Sequence, residues 1–177
     1  MRRDTGYRLW VTGLAVLLLT ACGPQSPQRP SRRMGEAPQA DSTQLALMEF
    51  NQQMAKTADE QLRQIALAQD ETYALYTGGA WATILEHGDL SQPRIKMGEE
   101  REIHMRTYSL DGRLLEDSEG IYMIGKLELP RAVDANIPDW HPGSKIRMYA
   151  PWYSAYGMKG TAHIPPYENV LIEIKLR

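Results

Sequence analysis

The sequence predicts an α+β fold in which a curved antiparallel sheet wraps on a short helix, with an amphipathic helical segment ahead of it. Three observations carry that expectation. Apolar and polar residues alternate at 101–109, 145–150 and 170–176; a single short stretch, Val133, Ile137 and Trp140, has helical spacing; and a longer helical period runs from 41 to about 70. Strands in series around one short helix belong to the α+β class.

The N-terminus comes first. Arg2, Arg3 and Arg8 precede an apolar stretch from Leu9 to Ala21, and Cys22 and a polar run follow. Basic residues, an apolar run and a small residue before a cleavage point describe a secretion signal over 1–21. The stretch is short for a membrane span, which needs about 20 apolar residues. From Gly23 to Ala40 the chain is rich in Pro, Gln, Ser, Arg and Gly, so 22–40 is expected to be a flexible, largely extended tether.

From 41 to 78 the chain is read as a helical segment. Leu47, Phe50, Met54, Ala58, Leu62 and Ile65 recur at spacings of three and four, one apolar stripe of an amphipathic helix. Thr57 with Glu60 matches a capping box, which would split the segment in two, or Thr57 is an exposed mid-helix residue. The stripe packs either on the domain that follows, the preferred reading, or on a second copy of the chain. Tyr73 and Tyr76 continue the face and Gly78 with Gly79 ends it.

Residues 79–177 form the domain proper. Strands are expected at Trp81–Glu86, Arg101–Ser109, Ile121–Ile124, Lys145–Ala150 and Val170–Leu176, with Asp111 and Gly112 as a hairpin turn. Ile103 and Met105 face inward while His104 and Arg106 point away. The segment from about Ala132 to Trp140 is a short helix, stopped by Pro138 and Pro142.

Composition bounds the function. The 177 residues are 42% hydrophobic and 24% charged, the balance of one globular domain with extensions, and a net charge of −2 excludes a basic nucleic-acid footprint. Cys22 is the one cysteine, so disulfides are no framework and an apolar core must hold the domain. His87, His104, His141 and His163 lack the spacing of a metal site, and no glycine-rich phosphate loop occurs, so neither metal nor cofactor is expected.

Ala155, Tyr156, Gly157, then Ile164, Pro165, Pro166 and a last alternating strand resemble the signature of FKBP-type peptidyl-prolyl isomerases. Leu110, Asp111, Gly112 stands where that family has its hairpin, Leu115 to Ser118 takes the place of Phe-Asp-Ser-Ser, and Gly143, Ser144, Lys145 opens the next strand. The similarity covers about 79–177. Leu19, Thr20, Ala21, Cys22 likewise looks like the lipobox of bacterial lipoproteins, and this anchor with the short helical prelude looks most like the lipoprotein FKBPs associated with gliding motility and related envelope isomerases.

The resemblance implies prolyl isomerisation of polypeptide clients by an envelope protein held by lipid on Cys22, at the outer membrane facing the periplasm, alone or within an envelope complex. It implies that Tyr156 donates to a ligand carbonyl, with Ile164, Tyr122 and Leu115 as pocket walls and Ile172 replacing a phenylalanine. The chain departs from the family in the pocket. Met105 replaces a tyrosine; the pocket aspartate becomes Glu116, or Asp117 in the adjacent register; the aromatic floor becomes Val133 or Ala132, which widens the pocket or lets Trp140 or Trp152 fill it. A backbone donor at the helix start is present if Leu129 sits there and absent if Pro130 does. The rival reading is a binding module of the same fold with weak or lost turnover.

Overall fold

The computed structural model describes residues 41–177; the signal segment, Cys22 and the tether lie outside the described residues. Helix α1 (Ser42–Leu67) leads into six strands: β1 (Ala74–Leu75), β2 (Trp81–Glu86), β3 (Glu100–Ser109), β4 (Leu114–Met123), β5 (Lys145–Ala150) and β6 (Val170–Leu176). Between β4 and β5 lie a one-turn helix α2 (Arg131–Asp134) and a 3-10 turn at Ile137–Asp139. The strands make one antiparallel sheet in the order β1-β2-β5-β6-β3-β4. Among the described residues no helix is long and apolar enough to cross a membrane.

Alternation gives this sheet two apolar faces. Ile146, Met148 and Ala150 of β5, Ile172, Ile174 and Leu176 of β6, and Ile103 and Met105 of β3 face one way and close on Val133, Ile137, Trp140 and Ile164. The core therefore sits between sheet and short helix. The odd-parity neighbours Trp81, Tyr149 and Leu171 face the other way, where Leu62 and Ala66 of α1 and Tyr73 cover them, with the Tyr73 and Tyr149 rings 5.3 Å apart.

Helix α1 is one continuous helix. The Thr57 hydroxyl donates to the Gln53 carbonyl at 3.0 Å, one turn back, and Glu60 pairs with Arg63 at 2.9 Å, so the capping-box residues are spent within the helix. Its C-terminal half packs on the sheet through Ala58, Leu62 and Ala66. Its N-terminal half leaves Leu45, Leu47, Met48 and Phe50 about half exposed, although Phe50 meets the Tyr167 ring edge-on. The helix ends at Leu67 rather than at the glycines; Tyr73 packs beneath α1 from the following loop, and Tyr76 instead stacks near Trp140.

Two other elements differ from the expectation. Strand β4 begins at Leu114, seven residues before the predicted start, because β3 supplies an antiparallel partner, interrupted by one bulge, to the acidic run that the hydropathy pattern leaves unmarked. The helix over 132–140 is two short turns: Pro138, which has no amide hydrogen, breaks the α-helical ladder, and Val133, Ile137 and Trp140 still reach the core. The β3–β4 hairpin turns at Gly112, whose φ of 90° suits glycine, and the Gly112 amide donates to Ser109 at 3.0 Å.

Leu62 is fully buried and ties α1 to the sheet, so Leu62→Ala is expected to cost about 2–5 kcal/mol. Urea unfolding of the variant would show a lowered midpoint; an unchanged midpoint means that α1 contributes nothing to the domain.

Candidate functional site

Four segments meet at a hollow of about 280 Å³ at the open edge of the core. Met105 comes from β3; Glu116, Ser118 and Tyr122 from β4; Glu128, Leu129 and Pro130 from the approach to α2; Ala155 and Tyr156 from the loop after β5. A larger hollow of about 400 Å³ lies between α1, the hairpin tip and Trp152, with none of the predicted site residues on its walls.

Local structure explains each position. Along β3 and β4 the register pairs Met105 with Ser118 and Thr107 with Glu116, then shifts so that Tyr108 pairs with Leu114. Leu115 is thus the extra residue of a bulge, and it and Glu116 fall on the same side: Leu115 packs on the core margin while Glu116 lines the hollow. The approach to α2 is pinned by Asp134, whose buried carboxylate accepts from the amides of Gly125 at 2.8 Å and Leu127 at 3.1 Å. Those two bonds hold Leu127 at a φ of 57°, a costly conformation for a branched residue. Glu128 accepts from the Met123 amide at 3.0 Å, and the loop bearing Tyr156 is tied to α2 by the Ala132 amide on the Ser154 carbonyl at 2.8 Å.

The Tyr156 hydroxyl lies 2.9 Å from the hydroxyl of Thr107, a residue with no exposed surface. A hydroxyl donates once and accepts twice. If Thr107 gives its proton to this bond, its own requirement is met and the Tyr156 proton remains free for a carbonyl in the hollow. Burial, and secondarily the nearby Glu116 carboxylate, pushes the Tyr156 phenol up to about 12, so it is a neutral donor at any ordinary pH.

The structure brings Met105, Glu116, Tyr122, Leu129, Pro130 and Tyr156 together on the hollow. Asp117 points to the outer face, because β4 alternates; there it meets His104 at 2.6 Å and Arg106 at 3.2 Å, and the His104 bond followed by the Arg106 charge holds its carboxyl below the usual range. Val133, Ala132, Ile164 and Ile172 are sealed in the core at 0–1% exposure and do not reach the lining. Trp140 packs near Tyr76, Trp152 packs on Tyr153 and Tyr167, and neither lines the hollow. Pro130 precedes the first turn of α2 without an amide hydrogen; the Leu129 amide, beside it, has no acceptor among the described residues.

Sequence reasoning missed Thr107, Asp134, Ser118, Glu128 and Ala155. Thr107 was within reach, since it shares the inward parity of Ile103 and Met105. The role of Asp134 depends on amides seven and nine residues upstream, which no local pattern marks.

Among the described residues no group of three His, Cys, Asp or Glu side chains could hold a metal ion. No family model matches the sequence, and no curated protein matches it.

The Thr107–Tyr156 bond predicts non-additivity. Tyr156→Phe leaves a buried hydroxyl unpartnered and is expected to cost about 1–3 kcal/mol, whereas adding Thr107→Val should recover part of that loss. Equilibrium unfolding of both single variants and the double variant gives the coupling; strict additivity would mean that the two hydroxyls are not joined in solution.

Solved structures do match. A peptidyl-prolyl cis-trans isomerase from Pseudomonas syringae pv. tomato str. DC3000 superposes with a TM-score of 0.59 at 20% identity, over 71% of this chain and 92% of that one. The N-terminal domain of FKBP42 from Arabidopsis thaliana does so with a TM-score of 0.53 at 17% identity, over 61% and 91%. At such identities the likeness is one of architecture, and the six-stranded antiparallel sheet packed on a short helix is the FKBP fold.

Proposed function

We propose that the chain is a lipid-anchored peptidyl-prolyl cis-trans isomerase of the cell envelope, acting on proline-containing polypeptides. The observation that carries the reading is the hollow itself: an apolar wall of Met105, Tyr122, Leu129, Pro130 and Ala155 set beside a free amide and a neutral phenol. Rotation about a prolyl bond meets a barrier of about 18–20 kcal/mol because the planar amide is resonance-stabilised. The twisted amide has lost that resonance and is less polar. A wall that excludes water therefore favours it over the planar form, with no nucleophile required.

In this scheme the Leu129 amide and the Tyr156 hydroxyl anchor backbone carbonyls of the peptide outside the rotating amide, while the ring lies against Tyr122 and Met105. Glu116 beside Tyr156 disfavours the phenolate and keeps the donor protonated. A second reading, a binding module or fixed subunit of an envelope complex with weak turnover, draws on a specific feature: Val133, Ile164 and Ile172 are sealed in the core and add nothing to the lining of the hollow.

A protease-coupled tetrapeptide assay separates the two. Prolyl turnover above buffer, reduced about tenfold by Tyr156→Phe through the loss of one hydrogen bond, is the expected result. Binding of a prolyl peptide without turnover would instead establish the module.

The envelope part of the proposal rests on the signal segment and on Cys22. Acyl chains on that sulfur, each methylene adding about 0.8 kcal/mol, would hold the protein durably on a membrane, and Gly23 after Cys22 favours the outer one, facing the periplasm. Labelled palmitate is expected to enter the wild-type chain in bacterial cells, and Cys22→Ser should abolish the label and release the protein to the soluble fraction. Label retained in that variant would remove the anchor from the proposal.

A further inference from the structure

The walls of the hollow carry two carboxylates and no cation. Glu116 makes no hydrogen bond or ion pair among the described residues, and Glu128 accepts only the Met123 amide, which leaves its charge uncompensated. The cations nearest in sequence are Arg113 to Glu116, and Lys126 and Arg131 to Glu128. None of them lines the hollow or makes an ion pair among the described residues, and Arg106 is engaged by Asp117 on the opposite side of β4. Along the sheet, Glu99 and Glu173 pair with arginines, and Glu102 and Glu119 share Arg177.

Resting on the isomerase reading, we infer that this site selects prolyl bonds in which the residue before proline is arginine or lysine. The rotating bond joins that residue to the ring, so its side chain stays at the rim when the ring enters, within reach of Glu116 and Glu128. An apolar residue there gains only contact with Met105 and Tyr122. An acidic one meets two like charges in a partly desolvated setting, which is unfavourable.

The test is a series of tetrapeptides Ala-Xaa-Pro-Phe bearing a chromogenic anilide, with Xaa as Arg, Leu or Glu. The full chain is assayed, coupled to a protease that cleaves after phenylalanine only when the prolyl bond is trans. Two partly exposed ion pairs predict that kcat/KM for Arg-Pro exceeds that for Leu-Pro by about three- to tenfold at low salt, with Glu-Pro slowest. The ratio should collapse toward one in 1 M salt, where the Debye length is about 3 Å. Glu128→Gln retains an acceptor for the Met123 amide and removes the charge, so it should lower the Arg/Leu ratio. Turnover in which Leu-Pro equals or exceeds Arg-Pro, or a ratio indifferent to salt and to Glu128→Gln, overturns the inference and leaves the isomerase reading standing. If no peptide is turned over, the isomerase reading is the one that fails. Calorimetric titration of the same peptides then decides the preference directly: tighter binding of Arg-Pro upholds it, and equal or weaker binding overturns it.

Discussion

The structure depends on burial of one face of β6. That strand is hydrogen-bonded on both sides, to β5 and to β3, and Val170, Ile172, Ile174 and Leu176 on its inner face are at most 1% exposed. Its partners complete the layer with Ile146 and Met148 on one side and Ile103 and Met105 on the other. The layer needs a lid, and the two short turns around Val133, Ile137 and Trp140 supply it. Without a disulfide framework, this close-packed contact between sheet and short helix is what fixes the domain.

A lid so short could not hold its own loops by packing alone, and polar side chains do the remaining work. Asp134 gathers the approach loop through two amides, while Asn136 bridges the α2 turn to Thr77 with bonds of 3.0 and 3.1 Å. Both are almost wholly buried, so each unmade bond would carry the desolvation penalty of its group. The segment of Glu128, Leu129 and Pro130 is thereby placed opposite Tyr156. Geometry at the hollow follows from bonds made outside it.

The site combines an FKBP architecture with altered lining chemistry. Small residues in place of the aromatic floor are enclosed by the core, Met105 brings no hydroxyl, and Thr107 stands behind Tyr156 as the partner of its phenol. The hollow presents an apolar wall with two neutral donors and two carboxylates. In the proposed reading such a surface acts by excluding water and orienting a carbonyl, and the inferred role of the carboxylates is to discriminate among chains.

Much of the fold was legible because burial on a two-residue or 3.6-residue period leaves a direct trace in sequence: β2, β5, β6 and the buried half of α1 follow from it, and the Asp111-Gly112 turn from its own backbone chemistry. Strand β4 was only partly legible, since its partner strand rather than its own hydropathy defines its start. At the site, alternation along β3 and the Ala-Tyr-Gly sequence pointed to Met105 and Tyr156. Only tertiary structure decided between Glu116 and Asp117, because the bulge at Leu115 sets which carboxylate turns inward, and only it placed Val133, Ile164 and Ile172 in the core instead of around the hollow. A side chain's type is written in the sequence; the face it shows and the atoms it meets depend on residues far away in the chain, which is why Asp134 and Thr107 emerged from the packed structure.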